Sequence, residues 1–400
     1  MLTKIKLNNG IEIKNRIVKS AMSEAFADKD NNPTLKHIVL YDNWANGGSG
    51  LLISGNVMVD RKQLGEPGNV VVDDKTDKEM LSKWAISGKK NNTKFIMQLN
   101  HPGKQSPKSI SKEPVAPSAV NMGEELKSLF NTPRELSNNE VKETIQKFIR
   151  SGKIAKEAGF SGVQIHAAHG YLVNQFLSPS DNQRNDEYGG TLENRMRFLI
   201  EIYLGLRDEL GKDFIIGIKL NSSDFKENGF TEDESLSVII KLEKLGIDFV
   251  EISGGSYEKP KITSVGSEVL FLDFAKKVQS KVNVPIILTG GFTKLDFMKN
   301  AIEKDGIAMI GLARPFVMIP DLVNQIQNNT FEKIDLPRLT TGISRLDRKI
   351  GGVIGISYYE QQMDRIARHK QAKYSTNAWS SLITTTYKHG VSGLLPRRAK

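Results

Sequence analysis

The chain has 400 residues with no cysteine, and 56 Lys plus Arg against 46 Asp plus Glu give it a formal charge of +10. The missing cysteine excludes disulfides, Cys-ligated metal centres and thiol nucleophiles, while 38% hydrophobic residues suffice for a large buried core. The lysines are scattered, and only Pro396-Arg-Arg-Ala-Lys400 forms a compact basic cluster, so no nucleic-acid partner is expected. No run approaches about eighteen apolar residues and the N-terminus lacks an apolar signal core, which predicts a soluble, cytoplasmic protein with no membrane contact.

Taken in order, Ile5 to Lys14 alternates around Asn9-Gly10 and predicts a hairpin lid. Arg16 to Ser20 reads as a strand running into Ala21-Met22-Ser23, and Pro33 to Asn46 as a helix. Gly50 to Val57 is a near-continuous apolar strand of the kind buried on both faces. Lys75 to Lys90 predicts a helix, Lys94 to Leu99 a strand, and Ser137 to Ala158 a long helix opened by a Ser137-x-x-Glu140 capping box. The roughly forty residues between that strand and that helix, rich in Pro, Ser and Lys, read as a functional loop over a site. Phe160 to Ile165 is the next strand. Helix and strand then alternate through Thr191–Leu210, Asp213–Leu220, Thr231–Leu245, Asp248–Ser253, Val265–Ser280, Pro285–Thr289, Lys294–Lys304 and Gly306–Gly311.

Eight strands after the hairpin, each followed by a helix or an excursion, predict an α/β fold, a (β/α)8 TIM barrel over residues 1–335. A Rossmann sheet would carry G-x-G-x-x-G after its first strand, and none is present. Asp321 to Asn329 extends the final helix. Residues 336–400 are expected to pack on the barrel as an extension with one helix over Tyr358 to His369. Trp379 to Tyr387, rich in Ser and Thr, fits a peripheral strand, a partner contact or a flexible tail.

In such a barrel the C-terminal strand ends converge on one mouth. They supply Met22 and Ser23, Gly55 and Asn56, Gln98 and His101, then His166, His169 and Tyr171, then Lys219 and Asn221, and last Thr289-Gly290-Gly291 and Gly311-Leu-Ala313-Arg314. Glycines after strand seven and an arginine after strand eight form the expected phosphate site. Gln98 and Lys219 suit the pyrimidine edge of a planar heterocycle that gains negative charge, as flavin mononucleotide does, and Gly55 leaves room for a flat ring. His166 and His169 sit on a strand end without a third ligand, so no metal is expected; two imidazoles aimed at one carbonyl oxygen stabilise charge there, and Tyr171 can supply a proton. Two other readings remain open from these residues: a flavin-free lyase or isomerase using Lys219, a histidine or Glu251, and a non-catalytic flavin- or nucleic-acid-binding protein.

The motifs Ile165-His-Ala-Ala-His-Gly-Tyr-Leu172, Gln175-Phe-Leu-Ser-Pro179, Asn185-Asp-Glu-Tyr-Gly-Gly190, Leu192-Glu-Asn-Arg195, Gln98-Leu-Asn-His-Pro-Gly103 and Gly311-Leu-Ala-Arg-Pro315 closely resemble those of the Old Yellow Enzyme family, in its short single-domain form. The resemblance implies bound FMN, hydride from transiently bound NADPH or NADH, and reduction of the C=C bond of an enone-type small molecule, with quinones and nitro compounds as further candidate oxidants. It implies that His166 and His169 bind the substrate carbonyl and that Tyr171 protonates the α-carbon. Gln98 and Lys219 would hold the flavin ring, with Ala21, Met22 and Gly55 lining it, and Gly290, Gly291, Ala313 and Arg314 would receive its phosphate. Lys219 stands where many relatives carry arginine. Ser23 stands where many bacterial relatives have cysteine, placing a hydroxyl within reach of flavin N5 or O4, and Ala25 where they have a substrate-contacting tyrosine. A monomer and a homo-oligomer are both compatible with the chain.

Overall fold

A computed structural model describes residues 1–124, 126–255 and 269–389. The eight strands are β1 (Ile17–Lys19), β2 (Leu51–Met58), β3 (Lys94–Asn100), β4 (Gly162–Ala167), β5 (Ile215–Asn221), β6 (Phe249–Ser253), β7 (Ile286–Thr289) and β8 (Met309–Leu312). Each pairs in parallel with its sequence neighbours, and β1 pairs with both β2 and β8, which closes the barrel as expected. Between them run α1 (Leu35–Asn46), α2 (Lys78–Gly88), α3 (Asn138–Glu157), the short α4 (Leu172–Leu177), α5 (Leu192–Leu210), α6 (Glu232–Lys244), α7 (Leu272–Gln279) and α8 (Leu295–Glu303), followed by α9 (Arg314–Met318) and α10 (Leu322–Gln327). Helix α3 begins with the expected reciprocal cap: Ser137 accepts from Glu140 N–H while the Glu140 carboxylate accepts from Ser137 N–H.

Strand alternation sorts the side chains into two cores. Odd positions of β1 and their equivalents face the helices, where the large cluster around Trp44, Trp84, Phe95 and Phe198 sits. The inward positions nearest the strand starts are Val18, Leu51, Ile53, Ile96, Ile215, Phe249, Ile287 and Met309, a second apolar layer. Leu7 and Ile13 belong to this layer, because the N-terminal hairpin (Ile5–Lys6 paired with Glu12–Ile13) plugs the barrel from below. The lid read from the sequence therefore closes the end opposite the strand termini.

The long connection before α3 is ordered. Arg184 pins it by donating to the carbonyls of Pro117 (2.9 Å) and Leu136 (2.5 Å), and Lys104 reaches Asp181 at 3.1 Å, both side chains buried. Its residues Met122, Leu126, Leu129 and Phe130 form one buried apolar cluster with Tyr171. The loop expected over a site thus covers the tyrosine singled out as a proton donor.

Three expectations change. Helix α7 starts at Leu272; Phe271 before it has left-handed backbone, and the expected start at Val265 lies outside the described residues. The C-terminal helix is longer than expected, α11 (Ser344–Ala367), packing on α1 and α9. Trp379 to Tyr387 is helical, within α12 (Ala378–His389): Asn377 caps Trp379 N–H at 2.9 Å and Ala378 and Leu382 pack on Ile354, so burial overrides the strand preference of Thr and Ile. Because Ile13 is fully buried beneath the barrel, Ile13→Ala should lower stability by roughly 2–4 kcal/mol. Urea unfolding followed by circular dichroism checks the loss, and ligand affinity at the opposite mouth should be unchanged.

Candidate active site

Above the apolar layer the next inward positions are polar and joined into one network. Gln98 Nε2 donates to Gln164 Oε1 (2.7 Å), Gln164 Nε2 donates to Glu251 Oε2 (2.7 Å), and Thr289 Oγ1 donates to Glu251 Oε1 (2.8 Å). Ser20 and Thr289 hydroxyls meet at 2.9 Å, and Lys219 Nζ lies 3.1 Å from Glu251 Oε1. Burial alone would push the Glu251 carboxyl up, but Lys219 and the hydrogen bonds from Gln164, Thr289 and Ser20 outweigh it and hold the pKa below the ordinary 4.5. Glu251 is therefore the ionised counter-charge of Lys219, engaged by Lys219 and three hydrogen-bond donors, which argues against it as the acid/base of the flavin-free reading.

His166 is on β4 and its register partner across the ladder is Lys219. Ala168 N–H donates to His166 Nδ1 (3.3 Å), which in a neutral ring places the proton on Nε2. His169 has a left-handed backbone, φ +61°, a costly state for a residue with a Cβ. Asn221 holds it there: its Oδ1 accepts His169 N–H (3.1 Å), and its amide ties to Asn174 and Asp224. The His169 Nε2 lies 2.6 Å from Ser253 Oγ on β6. The His166 ring centroid is 5.1 Å from that of His169 and 4.7 Å from that of Tyr171, so the three expected residues do converge. Asn56 Nδ2 donates to the Tyr171 oxygen at 3.3 Å, orienting the phenol as a donor. Among the described residues no three His, Asp or Glu side chains gather as a metal site.

The wall opposite, Ala21 to Ala25, rests on a buried network that sequence reasoning missed. Glu24 accepts from Gly55 N–H (3.0 Å) and from Tyr41, and Lys19 donates to Tyr41 Oη (3.3 Å) while lying 4.1 Å from the Trp44 ring centroid. Burial pulls the Lys19 ammonium down to about 8, opposed by Glu24. The strand register between β2 and β3 shifts at this point, and the Gly55 N–H released from the ladder is the one Glu24 takes. A side chain at Gly55 would collide with Glu24 and with Met22 O, so the close approach requires glycine. Ser23 directs its hydroxyl to Glu66.

One further residue joins the mouth. Asn100, two positions beyond Gln98 on the same face, is fully buried with neither amide atom hydrogen-bonded among the described residues. His101, by contrast, serves the loop: burial pushes its pKa down to about 4 and its Nδ1 accepts Gly103 N–H at 3.1 Å. Gln164 and Asn100 were detectable as amides in apolar strands; Glu24 was not, since its partners lie far off in sequence. At the other end, Gly290 and Gly291 have φ of +118° and +82°, which turns consecutive amides outward, and Arg314 is half-buried beside them on the paired strand end. A charged lysine, an orphaned amide and an amide–arginine cradle fit a flavin mononucleotide.

Comparison with known proteins places this chain in a class, the flavin-dependent NAD(P)H oxidoreductases. The model of the NADH:flavin oxidoreductase / NADH oxidase family matches residues 1–332, and the chain belongs to that family, as its motifs indicated. It is 37% identical over 357 residues to NADH-dependent flavin oxidoreductase iliE of Hypocrea jecorina (strain QM6a), covering 81% of this chain and 88% of the relative. It is 33% identical over 333 residues to NADPH dehydrogenase of Clostridium acetobutylicum, covering 82% and 94%. The old yellow enzyme homologue of Zymomonas mobilis shares the fold, with a TM-score of 0.71 at 24% identity over 84% of this chain and 94% of that one. A 2-naphthoyl-CoA reductase superposes with a TM-score of 0.77 at 28% identity over 82% of this chain, which spans only 52% of that longer protein. No described helix is long and apolar enough to cross a membrane.

Glu251→Gln would leave Lys219 buried without its counter-charge and should cost roughly 3–5 kcal/mol at neutral pH. Since the Glu251 pKa is depressed by folding, its contribution is present above 4.5 and is lost as pH falls through the lower folded value. Urea denaturation at a series of pH values should therefore show the gap between wild type and variant widest near pH 7 and narrowing below 4.5.

Proposed function

We propose that this protein binds FMN, takes reducing equivalents from NADPH or NADH, and reduces the C=C bond of an α,β-unsaturated carbonyl compound. The observation that carries the reading is the convergence of His166, His169 and Tyr171 beside the charged Lys219. FMN bound here would supply two-electron transfer from the nicotinamide to the substrate β-carbon. Lys219 and Gln98 would lie at its pyrimidine edge, Ala21, Met22 and Gly55 along the ring, and Gly290, Gly291, Ala313 and Arg314 at its phosphate.

The protein's own share is electrostatic and proton-handling. His166, with its proton on Nε2, and His169 would donate to the carbonyl oxygen and stabilise the enolate charge that grows there. Tyr171, oriented by Asn56, would give its phenolic proton to the α-carbon and recover one from solvent, so that the alkene gains one hydride and one proton. The packed loop residues Leu129 and Phe130 would hold the Tyr171 ring in place from the loop side. Relatives named for NADH and for NADPH support a nicotinamide donor without choosing between them. The flavin-free lyase or isomerase is disfavoured because Glu251 is already engaged with Lys219 and three hydrogen-bond donors.

The test is an anaerobic experiment on the purified protein. A bound flavin spectrum should bleach with NADPH or NADH and return on adding an enone; a colourless protein that takes up no FMN would end the reading. Tyr171→Phe should slow the enone-dependent step about a hundredfold or more while leaving bleaching by the nicotinamide near normal. Equal losses in both half-reactions would remove Tyr171 as a dedicated donor.

A further inference from the structure

Helix α11 lies beyond residue 332, where the match to the family model stops. It docks across α1 and α9: Lys36 pairs with Asp364 at 2.7 Å, and the Tyr358 hydroxyl reaches Met318 Sδ, at the end of α9, at 3.9 Å. Arg314, the expected phosphate ligand, is the first residue of α9.

The neighbour of Tyr358, Tyr359, has no structural reason to carry a hydroxyl. Its side chain is 6% exposed, and its Oη makes no hydrogen bond among the described residues, although a phenylalanine would fill the same space without stranding a polar atom. Burial pushes the phenol up to about 12, and the largest opposing influence is the positive charge of the Arg314 guanidinium. Arg314 itself makes no ion pair among the described residues. Two donors, the buried Tyr359 hydroxyl on α11 and the half-buried Arg314 guanidinium on the α9 it packs against, make no side-chain hydrogen bond among the described residues. The amides turned outward at Gly290 and Gly291 end the paired strand beside them.

We propose that α11 completes the phosphate end of the flavin site, with the Tyr359 hydroxyl donating a hydrogen bond to the FMN phosphate received by Arg314, Gly290 and Gly291. This rests on the FMN reading above. It gives the C-terminal segment a role that the family-matched barrel does not provide, and makes docking of α11 and retention of FMN mutually supportive: whatever holds the helix in place holds the cofactor, and the reverse.

The contact is specific to the phosphate, so riboflavin, which has the same ring and no phosphate, is the control. Full-length wild type and Tyr359→Phe, stripped of flavin, are titrated with FMN and with riboflavin by fluorescence quenching. Tyr359→Phe should weaken FMN on the order of tenfold, the loss of a hydrogen bond to a charged acceptor, and leave riboflavin affinity unchanged. Unchanged FMN affinity, or equal weakening of both ligands, would overturn the proposal, the second outcome assigning Tyr359 to packing alone. A wild type that binds neither flavin would instead sink the FMN reading and this inference with it. Thermal melting of the flavin-free proteins separates a folding defect from a ligand contact: the two should melt alike.

Discussion

Lys219 and Glu251 face each other at 3.1 Å inside a barrel whose lower half is sealed by Leu7, Ile13, Phe249 and their neighbours. Burial alone would push the Glu251 carboxyl towards its neutral form, and the positive charge of Lys219 is the largest influence against it. Together, and with Gln164, Thr289 and Ser20 satisfying the carboxylate, they keep a positive charge at the floor of the mouth. Four strands, β4 to β7, meet in this pair and its hydrogen bonds, so the arrangement also locks their register: a one-residue slip of β5 or β6 would move the lysine or the glutamate into the apolar layer between barrel and helices.

From that floor the mouth divides its work by strand. The end of β4 carries imidazoles and phenol, stiffened by the Asn221–Asn174–Asp224 amide and carboxylate cluster behind His169. The stretch after β1 carries the opposite wall, shaped from behind by Lys19, Tyr41 and Glu24 through Gly55. The ends of β7 and β8 offer backbone amides and a guanidinium, and the C-terminal helix α11 packs on α9, which Arg314 opens. The long connection before α3 roofs the tyrosine. Rigid strands thus position the chemistry while loops supply cover, the usual division in this architecture.

The eight-strand rhythm was legible because parallel strands buried on both faces read as apolar runs and each is punctuated by a helix. Lys219, Gln98 and the His166–His169–Tyr171 group stood out as polar residues at strand ends. Gln164 and Asn100 were harder, lying inside apolar runs where only their inward parity marks them. Glu251 was visible, but its role depends on Lys219 standing opposite, which pattern does not reveal. Lys19, Glu24 and Tyr41 come together only through the fold. In the C-terminal part, Gly351, Gly352, Gly355 and Ser357 weaken the helical signal of α11, and Thr384-Thr-Thr386 imitates a strand, so tertiary packing decides where propensity misleads.

If the Lys219–Glu251 pair exists to hold positive charge against a ring that becomes negative on reduction, the midpoint potential of bound FMN must depend on it. Spectroelectrochemical titration of wild type and Lys219→Gln, both loaded with FMN, measures this directly. The account predicts a clearly more negative potential in the variant, because the cation is gone and the glutamate remains. An unchanged or more positive potential would contradict it.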